Sequence, residues 1–269
     1  MPAQTPRLIS VLLATYNWPE ALQLCLNSLR EQTDLDFEII ITDDGSGEST
    51  RALIEKEQLD FPVPIKHLWQ EDIGFRKSLI LNQGIAAAQG DYLVFLDGDC
   101  IVQNDFIAQH RRLAEPHCLV TGSRILTSEG LKNELVQTKL IKQPISDVLR
   151  SVWQWRLHNK INKLLPLLLK LPNHPWRYYK KFEWRRIKGC NMACWTSDAR
   201  AMGGFDESLT GWGHEDADFV FRLQDAGVIR KSGAFATEVF HLWHKMQDRA
   251  TAEKNAAIVR AKILAKKQV

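Results

Sequence analysis

The chain has 269 residues, near the upper limit for a single hydrophobic core, and its 45% hydrophobic and 25% charged residues exclude intrinsic disorder and collagen-like repeats. Five cysteines, an odd number scattered from Cys25 to Cys194, argue against a disulfide scaffold and for free thiols in a reducing, cytosolic setting. The net charge of +3 hides an asymmetry: residues 132–188 hold 14 Lys or Arg against Glu134, Asp147 and Glu183, leaving 21 basic and 29 acidic residues elsewhere.

The first half alternates strand and helix signals. Residues 8–14 (LISVLLA) form a continuous apolar run, as expected for a strand buried on both faces. Pro19 is placed to open a helix, in which Leu22, Cys25, Leu26 and Leu29 make one apolar stripe. Residues 37–42 (FEIIIT) predict a second buried strand ending in Asp43-Asp44-Gly45-Ser46, and residues 49–58 a polar-faced helix. A short strand is expected at 65–69 and a helix at 76–88, with Leu79, Ile80, Gln83 and Ala87 in register and Gly90 as its stop. Residues 92–96 (YLVFL) predict a further buried strand, which runs into Asp97-Gly98-Asp99. Beyond it come a helix at 104–115, a strand at 118–121 and the basic segment. A stretch rich in Gly, Trp and acidic residues follows at 189–243, then an Ala/Lys helix at 249–266.

Such alternation implies an α/β fold with a mostly parallel central sheet, helices on both faces and a smaller sub-lobe. Ligands in these sheets bind beyond the carboxyl ends of the strands, where both acidic clusters fall. No run of 18 uncharged apolar residues occurs, because the greasiest stretch, 164–171, is broken by Pro166 and Lys170. The amino terminus lacks a small-residue cleavage site, so neither a transmembrane helix nor a signal peptide is expected.

Asp97 and Asp99 flank a glycine at a strand end, where two carboxylates repel unless a cation joins them. Hard oxygen ligands suit Mg²⁺ or Mn²⁺, completed by substrate phosphates and water. Asp43 or Asp44 is placed to accept hydrogen bonds from a nucleobase or ribose, or else to serve a Gly-Ser turn locally. Residues 211–218 (GWGHEDAD) combine three carboxylates, a His and a Trp between glycines. The Trp212 face suits a sugar ring and one carboxylate a general base, while all three acids also complement a helix N-terminus. His241 and His244 are three residues apart and are either metal ligands or structural. Arg76 is a candidate diphosphate contact, and Cys190 and Cys194, with no partner pair at zinc spacing, read as packing residues. Phosphate-loop, dinucleotide and zinc-peptidase motifs are missing.

Taken in order, SVLLATYN at 10–17, ITDDGS at 41–46, DIGFRKSLILNQGI at 72–85 and YLVFLDGDC at 92–100 resemble glycosyltransferase family 2. GCNMACW at 189–195, GGFDE at 203–207 and GWGHEDADFVFRL at 211–223 are similar to the carboxy-terminal half of galactosyltransferase-like and chondroitin-polymerase-like members. The resemblance implies a GT-A fold, a UDP-sugar or related nucleotide-sugar donor, and an inverting, Mn²⁺- or Mg²⁺-dependent transfer to a hydroxyl. On this chain it implies donor contacts at Thr15, Tyr16, Asn17, Asp43, Asp44, Arg76, Asn82, Asp97 and Asn191. It further implies metal ligation by Asp99 with His244 or His241, catalysis by Asp216 beside Glu215, and a sugar platform at Trp212 and Gly213. The Arg usual before Asn82 is Leu81, so Arg76 is expected to supply the guanidinium.

The expected organisation is one catalytic domain over 1–269. Residues 1–125 serve the donor, 132–188 form a basic Trp- and Leu-rich insertion, and 189–269 carry the acceptor and catalytic groups. That insertion suits either an anionic membrane surface or a solvated segment packed on the body; nucleic acid is not expected as a partner. The expected acceptor is a growing bacterial surface glycan or glycolipid, lipopolysaccharide core or capsule, on the cytoplasmic face of the membrane. A nucleotidyltransferase on a similar sheet and a non-catalytic polyanion-binding module are the competing readings.

Overall fold

The computed structural model describes residues 5–137, 152–179, 181–245 and 251–266, and of Arg185 only the backbone. The elements run β1 (Ile9–Thr15), α1 (Pro19–Arg30), β2 (Phe37–Asp43), α2 (Glu48–Gln58), β3 (Ile65–Trp69), α3 (Lys77–Ala87) and β4 (Tyr92–Asp97). After these come β5 (Cys100–Val102), α4 (Phe106–Leu113), β6 (Cys118–Thr121), β7 (Arg124–Leu126), α5 (Glu129–Gln137), α6 (Val152–Leu157) and α7 (Leu165–Leu168). The chain closes with β8 (Asn191–Trp195), α8 (Thr196–Ala201), α9 (Glu215–Asp225), β9 (Ile229–Ser232), β10 (Val239–His241) and α10 (Ala252–Lys266).

Seven strands form one sheet in the order β3-β2-β1-β4-β8-β6-β9. The strands β3, β2, β1 and β4 are parallel, whereas β8 runs antiparallel to both β4 and β6. Val11–Leu13 and Ile39–Ile41 are fully buried, which is why their apolar runs lack alternation: each face of the sheet is covered. One face packs with α1 side chains such as Leu22, Leu26 and Leu29, and the other with Leu81 of α3 and Phe219 and Val220 of α9.

Register decides where function can lie. Thr15 pairs with Asp43 and Ala14 with Asp97, so three strand ends stand level at one edge of the sheet. A three-stranded sheet, β5-β10-β7, sits beyond that edge. Within it His241 pairs with Cys100, the residue after Asp99.

Helix α3 differs from its expected register. Its buried positions are Ser78, Ile80, Leu81, Gly84 and Ile85, while Gln83 faces water. Gly84 makes the difference, because a Cβ there would lie 2.8 Å from Thr42 Cγ2 and 3.0 Å from Leu12 Cδ2. The helix therefore rests its smallest residue on the sheet and turns Leu81 inward. Gly90 is not the helix stop either: α3 ends at Ala87, and Gly90 is where the backbone passes Ser10 too closely for a side chain, since a Cβ there would lie 2.7 Å from the Ser10 nitrogen. The expected helix at 104–115 is shorter, Phe106–Leu113. The beginning of the expected 249–266 helix, and residues 138–151 of the basic segment, lie outside the described residues.

Candidate active site at the carboxyl edge of the sheet

Tight antiparallel pairing of β10 with β5 brings both histidines to Asp99. Asp99 Oδ2 lies 3.7 Å from His241 Nε2 and 3.4 Å from His244 Nε2, and the backbone locks the arrangement through Leu242 N–H donating to Asp99 O at 2.9 Å. These separations exceed an ordinary hydrogen bond, so the three ligand atoms converge without consuming one another. Burial raises the Asp99 carboxyl above its usual range against the pull of His241, and burial lowers His241 despite Asp99. A neutral imidazole with an accepting nitrogen is what a cation requires. One carboxylate and two imidazoles fit Mn²⁺, a metal that accepts both donor types, and the donor set as it stands fits the group the resemblance implied. Both candidate histidines are at hand.

Asp97, two residues earlier, has a different partner. Its Oδ1 accepts from Lys77 Nζ at 2.5 Å, and its backbone N–H donates to Cys190 O at 3.4 Å. Lys77 opens α3 and was missed from the sequence, although it stands beside Arg76 in the GFRKS stretch. Arg76 has partners of its own: its Nη2 donates to Glu71 O at 2.5 Å and its backbone N–H to Asp44 Oδ2 at 2.9 Å.

Gly211, Gly213 and His214 have φ of 74°, 112° and 71°, a left-handed path that glycine follows without strain. It delivers Glu215 and Asp216 to the first turn of α9, where the helix dipole favours anions. Asp216 Oδ2 accepts the Gly189 N–H at 2.8 Å and Oδ1 the Ala217 N–H at 2.7 Å. Gly189 precedes Cys190, whose carbonyl holds Asp97, so the two acidic clusters meet through two consecutive residues. Glu215 Oε2 accepts the Gly213 N–H at 3.1 Å; burial, then the neighbouring Asp216 charge, pushes its carboxyl up to about 7. Lys77 opposes that rise, so both clusters feel the same ammonium. The third carboxylate is spent elsewhere: fully buried Asp218 pairs with Arg222 at 2.7 Å and Lys262 at 2.5 Å, tying α9 to α10. Trp212 is half-buried, its carbonyl accepting from Thr251 Oγ1 at 3.1 Å, and Gly213 O accepts from Asn255.

The expected donor-binding residues divide. Tyr16 is exposed, its hydroxyl donating to Asp72 at 2.8 Å, and Thr15 ends β1 beside Asp43. Asn17 and Ser46 stitch the two loops together, Asn17 N–H to Ser46 Oγ at 2.9 Å and Gly47 N–H to Asn17 Oδ1 at 2.9 Å. Asp44 accepts from Gln70 Nε2 and from Arg76 N–H. Asp43 is turned inward, fully buried, and bound to Ser46 N–H at 2.8 Å and to His67 Nε2 at 3.0 Å. The local turn role therefore describes Asp43. Asn191 is likewise turned inward: it is fully buried and its amide donates to the Ser123 and Thr237 carbonyls. Asn82 likewise pins the 205–207 loop, donating to Phe205 O and Glu207 and accepting the Phe205 N–H at 2.7 Å. Cys190 and Cys194 are buried and free, as packing residues should be.

Comparison with known proteins identifies the family. The model of Glycosyl transferase family 2 matches residues 10–182, and that of the N-terminal domain of galactosyltransferase matches residues 174–245. Validoxylamine A glucosyltransferase of Streptomyces hygroscopicus subsp. jinggangensis is 28% identical over 240 residues, covering 85% of this chain and 54% of that protein. Chondroitin synthase of Escherichia coli is 27% identical, over 85% of this chain and 34% of that protein. The chain thus spans from a third to about half the length of these relatives. Among solved structures, mannosyltransferase PcManGT of Pyrobaculum calidifontis, in complex with GDP-Man and Mn²⁺, has a TM-score of 0.59 at 17% identity over 98% of this chain and 63% of that one. GalNAc-T7 with UDP, GalNAc and Mn²⁺ has a TM-score of 0.62 at 16% identity, over 96% and 48%. The chain belongs to glycosyltransferase family 2, and its fold is the GT-A fold.

Proposed function

We propose that this enzyme is an inverting, divalent-metal-dependent glycosyltransferase. It moves one hexosyl or N-acetylhexosaminyl group from a UDP-sugar to a hydroxyl of a growing bacterial surface glycan, lipopolysaccharide core or capsule. The observation that carries the reading is the convergence of Asp99, His241 and His244 at the edge that also bears Asp97, Lys77, Glu215 and Asp216. The relatives' names support it: a glucosyltransferase and a polysaccharide synthase, with solved neighbours holding nucleotide and Mn²⁺.

Asp99 with His241 and His244 would hold Mn²⁺ or Mg²⁺, which stabilises charge developing on the leaving diphosphate. Thr15, Tyr16 and Asp44 line the uridine side, and Asp97 stands toward the ribose with Lys77 as its counter-ion. Inversion is a single displacement, so the proton acceptor works from the face opposite the diphosphate. Asp216 takes that part: its two backbone N–H donors hold the carboxylate in one orientation, so the group is aimed before the acceptor arrives. A carboxylate is too weak a base to make a free alkoxide, so proton removal accompanies bond formation. Trp212 offers the acceptor sugar a flat apolar face. Residues 1–125 serve the donor and 189–269 the acceptor and proton transfer, and the enzyme works at the cytoplasmic face of the membrane. Among the described residues no helix is long and apolar enough to cross one.

A panel of nucleotide sugars with Mn²⁺, read by nucleoside diphosphate release and by NMR of the product anomer, tests this reading. One donor class is expected to react, only with metal, and with inverted configuration. Retained configuration, or release indifferent to metal, contradicts it.

A further inference from the structure

The basic segment takes no part in the chemistry above, yet it builds a surface. Helices α6 and α7 border a groove of about 530 Å³ lined by Trp153, Arg156, Lys163, Leu164, Leu165 and Leu168, among others. Trp153, Leu165 and Leu168 are 56%, 59% and 47% exposed. Clustered apolar exposure of this kind marks a contact surface rather than an ordinary solvated face. Among the described residues no Asp or Glu lines the groove. Among the described residues neither cation has an ion pair: Arg156 donates to Asn159 Oδ1 at 3.2 Å, and Lys163 to Ser123 Oγ and Arg124 O. Lys163 lies within electrostatic range of Glu238, but that carboxylate is fully buried and already accepts the Phe235 N–H.

A second groove, about 350 Å³, shares Arg156 and Asn162 with the first and reaches Thr127. Thr127 N–H donates to His241 O at 3.1 Å, and its Oγ1 accepts the Trp243 N–H at 2.9 Å. The two grooves thus lead from the exposed leucines, past the cations, to Thr127, which is bonded to the strand that ends in His241.

We propose that this surface docks on the anionic face of a phospholipid bilayer. Trp153, Leu165 and Leu168 enter at headgroup depth, Arg156 and Lys163 lie on lipid phosphates, and the acceptor approaches His241 and Trp243 along the second groove. Charge and apolarity together select this occupant. A soluble polyanion would use the cations and leave the leucines in water. A second copy related by two-fold symmetry would set Arg156 and Lys163 against the same cations. A bilayer satisfies both sets at once. The proposal rests on the glycosyl-transfer reading only for the acceptor, so vesicle binding is measured with no donor present.

The test is flotation of the full chain with phosphatidylcholine vesicles, with and without phosphatidylglycerol, at low and high salt. Wild type is expected to float with the anionic vesicles and to be released by salt. Arg156→Gln with Lys163→Gln should lower binding by roughly ten-fold or more, and Leu165→Ser with Leu168→Ser should lower it comparably. Both double variants should keep their melting temperature and their donor hydrolysis, which separates this result from failure of the enzyme assignment. Equal binding to neutral vesicles, or binding unmoved by either double variant, overturns the proposal. So does binding to dextran sulfate that matches vesicle binding and ignores the leucine changes, or a dimer in light scattering that Leu165→Ser with Leu168→Ser converts to monomer.

Discussion

The Lys77 ammonium stands 2.5 Å from Oδ1 of Asp97, and the two side chains are only 18% and 27% exposed. Burial works against the charge on Lys77, yet Asp97 and then Glu215 outweigh it and raise its pKa above the usual lysine value. One ammonium therefore serves both the strand-end carboxylate and Glu215 of α9.

Removing it should leave the acids uncompensated. Lys77→Met is expected to cost about 1–3 kcal/mol of stability and to raise KM for the donor. Adding Asp97→Asn to Lys77→Met should recover part of the stability loss, a coupling of about 1 kcal/mol or more in a double-mutant cycle by urea unfolding. Strict additivity of the two changes would show that the pair does not interact.

Metal affinity should divide between the two imidazoles. His244 is the more exposed at 34%, against 12% for His241. His244→Ala is expected to weaken Mn²⁺ binding by at least roughly 10–100-fold while leaving the fold intact, since loss of even a group that supports a metal ligand costs that much. His241→Ala should weaken it and also lower the melting temperature, because β10 carries His241 in its register with Cys100. Calorimetric titration with Mn²⁺ reads the first effect and thermal unfolding the second.

Glu215 makes stability fall with rising pH. Its carboxyl is raised from 4.5 to about 7 by burial and by Asp216, so between these values the folded state holds a proton that the unfolded state has lost. The associated stability is complete below pH 4.5 and disappears as pH rises through about 7, an effect of up to about 3 kcal/mol. Glu215→Gln should melt close to wild type at pH 4.5 and increasingly above it toward pH 8. Parallel melting curves across that range would contradict the assignment.

Asn191 supplies a contrast between two roles. Its amide donates to the Ser123 and Thr237 carbonyls inside the protein, and a Cβ on Gly122 would meet its side chain at 2.2 Å. Asn191→Ala is expected to cost about 1–3 kcal/mol, the price of two buried carbonyls left without donors. At temperatures where the variant stays folded, KM for the donor should hold within a few-fold. A large KM effect with unchanged stability would return Asn191 to the donor site.

Much of the architecture was legible because its signals are local. The apolar runs at 8–14 and 37–42 read as buried strands, observed at Ile9–Thr15 and Phe37–Asp43, and the acidic residues just beyond Leu96 then fall at the sheet's carboxyl edge. Position along the chain could not say which way Asp43 or Asn191 points, since an Asp in a Gly-Ser turn and an Asp in a ligand pocket share one local sequence. The pairing of Lys77 with Asp97 was equally hidden, because it depends on where α3 settles along β1 and β2. Leu79 and Leu81 look alike in the sequence, and only the close approach of Gly84 to Leu12 chooses which of them faces the core. The reach of His241 to Asp99 was expected only as one of two options, and β5–β10 pairing brings both histidines there at once.

Under the proposed function, Asp99 on one side and Asp216 on the other serve a single transfer. The most direct measurement is Mn²⁺-dependent nucleoside diphosphate release from the reactive sugar donor, with acceptor, for wild type, Asp99→Ala and Asp216→Asn. Asp99→Ala is expected to abolish the metal-dependent rate. Asp216→Asn should lower kcat by roughly 10²–10⁴-fold with Mn²⁺ affinity retained. Undiminished release by both variants would contradict the proposed function.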